Sequence, residues 1–126
     1  MAQPTLLSIA KADLITANRL VESEDKFIKH QAAYFTQQSI EKTLKYLICL
    51  KTGSQPWGHD IEKLVKQAKS LGIQIPERID KYKTVYTSWE AVTRYYPQKI
   101  IRRDMIKRAI DIVQQWHIDL KKQGIR

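Results

Sequence analysis

The chain has 126 residues and a mass of 14.8 kDa, which suits one compact domain and leaves no room for two. Its 43% apolar and 28% charged residues exclude a disordered chain, and its single cysteine excludes a disulfide framework or a zinc site built from several cysteines. The net charge of +9 favours polyanionic partners. No apolar run reaches the ~20 residues of a membrane span, so we expect one cytoplasmic domain over residues 1–126 with no membrane association.

Apolar side chains follow a helical period along nearly the whole chain, and no segment alternates as a strand does. The period predicts five helices, over residues 5–21, 27–52, 60–71, 76–95 and 98–122. Gly53 and Gly72 end the second and third helices, while Pro76 and Pro97 are placed to open the fourth and fifth. Because every inferred loop is short, sequential helices are expected to pack antiparallel. The prediction is an all-α fold, a five-helix up-and-down bundle.

The second helix carries an amide and a carboxylate on its apolar stripe. Gln37, Glu41, Leu44 and Ile48 stand at i, i+4, i+7 and i+11. A buried carboxylate costs free energy unless it is paired or hydrogen-bonded. Glu41 is therefore expected to face a basic side chain inside the bundle, or to line a polar cleft or a subunit interface.

His59 and Asp60 stand at the start of the third helix. Asp60 is expected to cap the helix, because a carboxylate there accepts hydrogen bonds from the free backbone N–H groups of the first turn. His59 could contact a phosphate, since those same donors attract anions.

Aromatic side chains are concentrated in the fourth helix and at its end. Tyr82, Tyr86 and Trp89 precede the run Arg94-Tyr95-Tyr96-Pro97, and together they exceed what a small core requires. This excess predicts an exposed aromatic surface between residues 82 and 96. Such a surface suits a homodimer interface, where Tyr, Trp and Arg are enriched, and also suits the stacking of nucleic-acid bases.

Residues 97–126 carry 8 basic and 3 acidic side chains, so the last quarter of the chain holds more than half of the net charge. The i, i+4 spacing within this segment predicts one positive edge on the fifth helix. That edge would bind RNA or nucleotide, or would serve solubility alone. The predicted basic patch consists of Lys99, Arg102, Arg103, Lys107 and Arg108. Of the remaining histidines, His117 is expected in the core, and His30 has no evident partner.

Three segments, in this order and spacing, resemble the HEPN domain, a nucleotide-binding domain of higher eukaryotes and prokaryotes. They are residues 32–45 with Gln37-Gln38 and Glu41-Lys42, residues 58–64 with His59-Asp60, and the run at residues 94–97. The resemblance covers residues 5–122 and implies a small helical bundle that is often a homodimer. Carried over position by position, it implies ligand binding by Gln38, Glu41, Lys42, His59, Asp60, Arg94 and Tyr95.

Many members of this family are metal-independent ribonucleases, often toxins paired with a small nucleotidyltransferase, and carry an Arg followed after four to six residues by a His. Here the positions at that distance after Arg94 are Lys99, Ile100 and Ile101. We therefore expect no catalytic residues, no metal and no cofactor. The predicted function is a homodimeric, non-catalytic module that binds a nucleotide or RNA phosphate, or docks a nucleotidyltransferase in a toxin–antitoxin pair. The alternative is a divergent ribonuclease toxin that uses Arg94 with His59 or with a tyrosine from the facing subunit.

Overall fold

The computed structural model describes residues 5–125, and within that range it contains α-helices and no strand. The all-α helical-bundle prediction is confirmed, with six helices rather than five in the described part of the chain. They are α1 (Leu6–Leu20), α2 (Lys26–Thr52), α3 (Ile61–Ser70), α4 (Glu77–Lys81), α5 (Lys83–Tyr95) and α6 (Arg103–Lys122).

The long helix α2 is the centre of the bundle, because α1, α3, α5 and α6 all pack against it. Asp25 caps its start by accepting hydrogen bonds from the backbone N–H groups of Phe27 and Ile28. Gly53 ends it in the left-handed conformation, at φ 78°, that glycine adopts with little cost. Helices α1 and α2 form an antiparallel hairpin in which the Ser39 hydroxyl donates to the backbone carbonyl of Ala10.

Helix α3 runs in the same direction as α2, unlike the alternating order expected at this junction. The start of α3 lies beside the middle of α2, where His59 contacts Glu41. Gly72, just after the end of α3, and Leu50, near the end of α2, line the same groove. The non-helical residues 53–60, which we call the return segment, carry the chain back along α2. Eleven helical residues rise about 16 Å, which eight non-helical residues can span.

The predicted fourth helix is divided in two at Tyr82, whose backbone lies at φ −107° and ψ 20°. At this point the Lys83 ammonium donates to both the backbone carbonyl and the carboxylate of Asp80. The prediction that Pro97 opens the last helix is also wrong. Residues 96–102 form a loop, and α6 begins only at Arg103.

The aromatic side chains of α5 belong mainly to the core. Tyr86 and Trp89 are buried and contact each other edge to face, with ring centroids 5.0 Å apart. The expected aromatic surface is therefore wrong for these two residues, because the α5 stripe faces α2 and α3. Tyr95 and Tyr96 do remain exposed, at the end of the helix.

His117 is a core histidine, as its position in the apolar stripe of α6 predicted. The Thr43 hydroxyl donates to the backbone carbonyl of Ser39, so it has only its oxygen to offer His117 Nε2, 2.9 Å away. The hydrogen-bond pattern thus assigns the proton to Nε2. Burial, and secondarily the charge of Lys11, lowers the pKa of His117 to about 4.

Candidate functional site

A buried carboxylate holds an exposed imidazole at the middle of α2. Glu41 is 2% exposed, and its Oε1 lies 2.5 Å from Nδ1 of His59 and 3.5 Å from Nζ of Lys45. The carboxylate is therefore paired, as the free-energy cost of its burial requires. The side chain of His59 is 71% exposed, so one edge of the imidazole is fixed while the other meets solvent.

The pairing determines which imidazole nitrogen is available. An ionised carboxylate only accepts hydrogen bonds, so Nδ1 of His59 carries the proton that Glu41 binds. Nε2 then faces outward, as an acceptor in the neutral ring and as a donor in the charged ring. This group can bind an anionic oxygen, and in principle can also move a proton.

The backbone around His59 is fixed by the start of α3. Asp60 is the N-cap residue, and its carboxylate accepts from the backbone N–H of Glu62 at 2.9 Å, which confirms the capping prediction. The backbone N–H of Ile61, between Asp60 and Glu62, donates to the Thr87 hydroxyl on α5 at 2.9 Å. These contacts hold the first residues of α3 against both α2 and α5.

Arg94 lies at the other end of the same face of α2. Its guanidinium donates to the Tyr34 hydroxyl at 3.3 Å, and it pairs with the Glu90 carboxylate at 3.5 Å. The hydrogen bond to Tyr34 is the main cause that raises the pKa of Arg94 above its ordinary value. Because the Arg94 side chain is half exposed, part of the guanidinium remains open to solvent. Tyr95, beside it, is exposed.

Tyr34, Gln38 and Glu41 stand at i, i+4 and i+7, on one face of α2. We call this row, together with Arg94 at one end and His59 at the other, the polar seam. Tyr34, which contacts Arg94, and Glu41, which contacts His59, are seven residues apart, or about 10 Å along the axis of α2. Sequence reasoning did not single out Tyr34, although its i, i+4, i+7 spacing with Gln38 and Glu41 is the signal that would have found it.

The remaining predicted ligand-binding residues of α2 have partners of their own. The Lys42 ammonium forms an ion pair of 2.5 Å with Asp13 of α1, on a different side of the helix. The Gln38 amide donates to the Gln37 side-chain carbonyl at 2.7 Å, and Gln38 itself remains partly exposed. The structure thus brings Gln38, Glu41, His59, Arg94 and Tyr95 to the seam, whereas Lys42 and Asp60 are engaged elsewhere.

The predicted basic patch is divided between two faces of α6. Arg103 and Lys107 face the end of α1, where the Arg103 guanidinium donates to the carbonyls of Val21 and Ser23 at 3.0 and 2.7 Å. Lys107 forms an ion pair of 2.7 Å with Glu22 in the same region.

The other basic residues of the patch are exposed and lie toward α5. The Lys99 ammonium lies 5.0 Å from the centroid of the Tyr96 ring, and Arg102 pairs with Asp104 at 3.3 Å. Arg108 lies close enough to α5 to act on the Tyr86 hydroxyl. The exposed cations of the patch therefore lie toward α5, and Lys99 follows Arg94 by five residues in the chain.

Two further kinds of site find no support in residues 5–125. No group of three or more His, Cys, Asp or Glu side chains there could hold a metal ion. Likewise, none of the helices in this range combines the length and the apolar character that crossing a bilayer would require.

The sequence model of the HEPN domain matches residues 4–120, nearly the whole chain. The chain belongs to the HEPN family. This HEPN domain is also similar to the crystal structure of TT1696 from Thermus thermophilus, with a TM-score of 0.71 over 93% of this chain and 94% of that one. The two sequences are 22% identical, so the likeness shows a shared fold. A comparison with curated proteins finds no match.

Proposed function

We propose that this HEPN domain is a non-catalytic binding module, which holds a phosphate of a nucleotide or of RNA along the polar seam. The observation that carries the proposal is the pair of buried Glu41 and exposed His59, joined at 2.5 Å. Besides its ion pair with Lys45 at 3.5 Å, this carboxylate orients an imidazole whose side chain is 71% exposed, in a chain of net charge +9.

Arg94 supplies the second anion-binding group. Its guanidinium is aligned by Tyr34 and Glu90 and still half open to solvent, which is suited to a phosphate oxygen. Lys99 adds positive charge from the loop that follows. A short strand, whose phosphates are separated by nucleosides, would contact both ends of the seam.

The distance between Arg94 and His59 favours binding over cleavage. Metal-free RNA cleavage needs a proton-transfer group and a cation at the same phosphate. The start of α3 meets α5 at Thr87, two helical turns before Arg94, and the α2 residues that the two side chains contact, Glu41 and Tyr34, lie about 10 Å apart along the helix. The alternative, a divergent ribonuclease toxin, would require the His59 of a second subunit to approach Arg94.

The proposal includes contacts with other proteins. Tyr96 and Ile100 are exposed apolar side chains just beyond Arg94, and they suit a homodimer interface or the docking of a small nucleotidyltransferase in a toxin–antitoxin pair. A reading frame for such an enzyme beside the gene of this protein would support the docking role.

Binding of mono- and dinucleotides and of short RNA to the purified protein tests the proposal. We expect His59→Ala and Arg94→Ala each to weaken binding roughly tenfold or more, since a hydrogen bond to a charged group contributes about 1.5–3 kcal/mol. Arg19→Ala, which removes an exposed charge from α1, is the matched control and should bind normally. Failure of the wild-type protein to bind any of these ligands would refute the proposal.

Incubation of the protein with single-stranded RNA in the presence of a chelator tests the enzymatic alternative. We expect no cleavage. Cleavage that survives the chelator and is lost in both His59→Ala and Arg94→Ala would instead identify a ribonuclease.

A further inference from the structure

Trp57 is almost completely exposed. Its surface is 98% accessible, whereas Trp89 and Trp116 are buried in the core at 2% and 4%. An indole is the largest apolar side chain, and tryptophan is enriched where proteins make contacts. A side chain of this size left wholly in water is therefore available to a ligand.

The return segment places Trp57 beside the seam. Trp57 precedes His59 by two residues, so their Cα atoms are at most about 7 Å apart. His59 is fixed by Glu41, and Gly58 between them adopts φ 92°, a conformation that other residues rarely take. The backbone thus links the exposed indole directly to the anchored imidazole.

The same combination of a cation and an aromatic ring recurs at the opposite end of the seam. There Arg94 lies beside Tyr95, which is exposed, and against Tyr34. A single strand of nucleic acid alternates phosphates, which bind cations, with unpaired bases, which stack on aromatic rings. The two pairs, whose contact residues on α2 lie about 10 Å apart along the helix, thus offer such a strand two cations and two aromatic rings.

The surroundings of Trp57 argue against a protein partner. A protein contact usually surrounds a central tryptophan with other apolar groups. Within the return segment the other residues are Gly, Ser, Gln, Pro, His and Asp, while Leu50 and Lys51 are exposed near the end of α2. The indole is therefore the one large apolar side chain of an otherwise polar return segment.

We propose that Trp57 is a base-stacking residue, so that the seam binds single-stranded RNA through an unpaired base on Trp57 and the adjoining phosphate on His59. This inference rests on the proposed function, and it adds the ligand class: a strand with unpaired bases rather than a duplex or inorganic phosphate.

Tryptophan fluorescence tests the stacking directly, because Trp57 is the one exposed indole among the three. We expect a short single-stranded oligoribonucleotide to quench the emission of the wild-type protein, and Trp57→Phe to remove the quenching while keeping binding within a few-fold. Trp57→Ala should weaken binding about 5- to 150-fold, the equivalent of 1–3 kcal/mol of stacking. A duplex of the same sequence should bind more weakly than the single strand.

Ile15→Ala, which truncates an exposed apolar side chain on α1, is the control and should leave binding unchanged. If Trp57→Ala binds RNA as tightly as the wild type while His59→Ala does not, the stacking inference fails and the proposed function stands. If the wild type binds neither RNA nor nucleotide, the proposed function itself fails. Loss of self-association in Trp57→Ala with unchanged RNA affinity would overturn the inference in favour of a protein contact.

Discussion

The imidazole Nε2 of His30 accepts a hydrogen bond from the backbone N–H of Ile101, 3.1 Å away and 71 residues later in the chain. His30 is buried in the first turns of α2, and its own backbone carbonyl accepts from the Thr93 hydroxyl of α5. Burial, helped by the charges of Lys29 and Lys26, lowers the pKa of His30, which agrees with the unprotonated Nε2 that the hydrogen bond from Ile101 requires. This one side chain therefore ties the loop after Arg94 to the central helix.

Removal of that acceptor should destabilise the protein. In His30→Ala the N–H of Ile101 is left buried without its partner, so we expect a loss of about 1–3 kcal/mol in the free energy of unfolding. Denaturant titration would measure the loss, and hydrogen exchange of the Ile101 amide should accelerate. His30→Gln, which can still present a carbonyl oxygen, should recover part of the stability. Unchanged exchange at Ile101 in His30→Ala would contradict the assignment.

The sequence predicted the bounds of a helix well where an apolar stripe and a capping residue indicate the same end. Helices α1, α2 and α3 begin and end within a residue or two of the predicted bounds, and both Asp60 and Gly53 have the expected roles. It failed where a distant contact decides the local structure. Nothing near Ile101 in the sequence indicates that His30 holds it, so residues 98–102 of this loop were predicted as the first turn of a helix.

The stability of the protein should fall on acidification through the range in which His117 titrates in the unfolded chain. Its native pKa is about 4, below the ordinary value of about 6.5, so between these values the unfolded state binds more protons. The free energy of unfolding should decrease by up to about 3 kcal/mol as the pH falls from 6.5 to 4.

Denaturant titrations at several pH values would measure how steeply the free energy of unfolding falls with pH. His117→Gln, which keeps a hydrogen-bonding group near Thr43 but does not titrate, should show a shallower decrease, with the contribution of His30 remaining. An identical slope in this variant would refute the role of His117.

Arg103 should contribute to stability rather than to ligand binding. Its guanidinium donates to two carbonyls at the end of α1, and replacing it by alanine leaves both without that donor. We expect Arg103→Ala to lower the free energy of unfolding by about 1–3 kcal/mol. Arg102→Ala removes the same charge from the neighbouring exposed position and should cost less than about 0.5 kcal/mol, as surface pairs usually do. Thermal unfolding of both variants would measure the difference. Equal melting temperatures for Arg103→Ala and Arg102→Ala would contradict a stabilising role of Arg103.

The candidate site was only partly predictable for a related reason. The position of Glu41 in an apolar stripe indicated that a partner had to exist, because an unpaired buried carboxylate is costly. The identity of that partner depends on the return segment, which carries His59 back along α2. A bundle with strictly antiparallel neighbours would have placed the start of α3 near the end of α2 instead.

Self-association should depend on the loop after Arg94. Ile100 and Tyr96 are exposed there, and we expect a two-fold symmetric dimer that buries them. Ile100→Asp should shift the protein toward monomer in sedimentation experiments at tens of micromolar. Ile15→Asp, an equivalent change at an exposed position of α1, should not. A wild-type protein that sediments as a monomer at these concentrations would rule out the dimer.

RNA binding should depend steeply on salt through the exposed cations near α5. Each phosphate that a side chain neutralises releases counterions, so the logarithm of the affinity falls linearly with the logarithm of the salt concentration. Lys99 and Arg108 are exposed and lie toward α5, whereas Arg103 and Lys107 are engaged at the end of α1. The double variant Lys99→Gln/Arg108→Gln should therefore weaken binding at low salt without unfolding the protein.

The slope of the logarithm of the affinity against the logarithm of the salt concentration distinguishes specific phosphate contacts from a general effect of net charge. If both cations bind phosphates, the slope should shrink by about 0.7 for each phosphate that is no longer neutralised. Lys121→Gln/Lys122→Gln removes the same charge from exposed positions in the last turn of α6, away from the seam, and should leave the slope unchanged. Equal slopes in the wild type and both double variants would assign the positive charges of Lys99 and Arg108 to solubility, and phosphate binding would then rest on His59 and Arg94 alone.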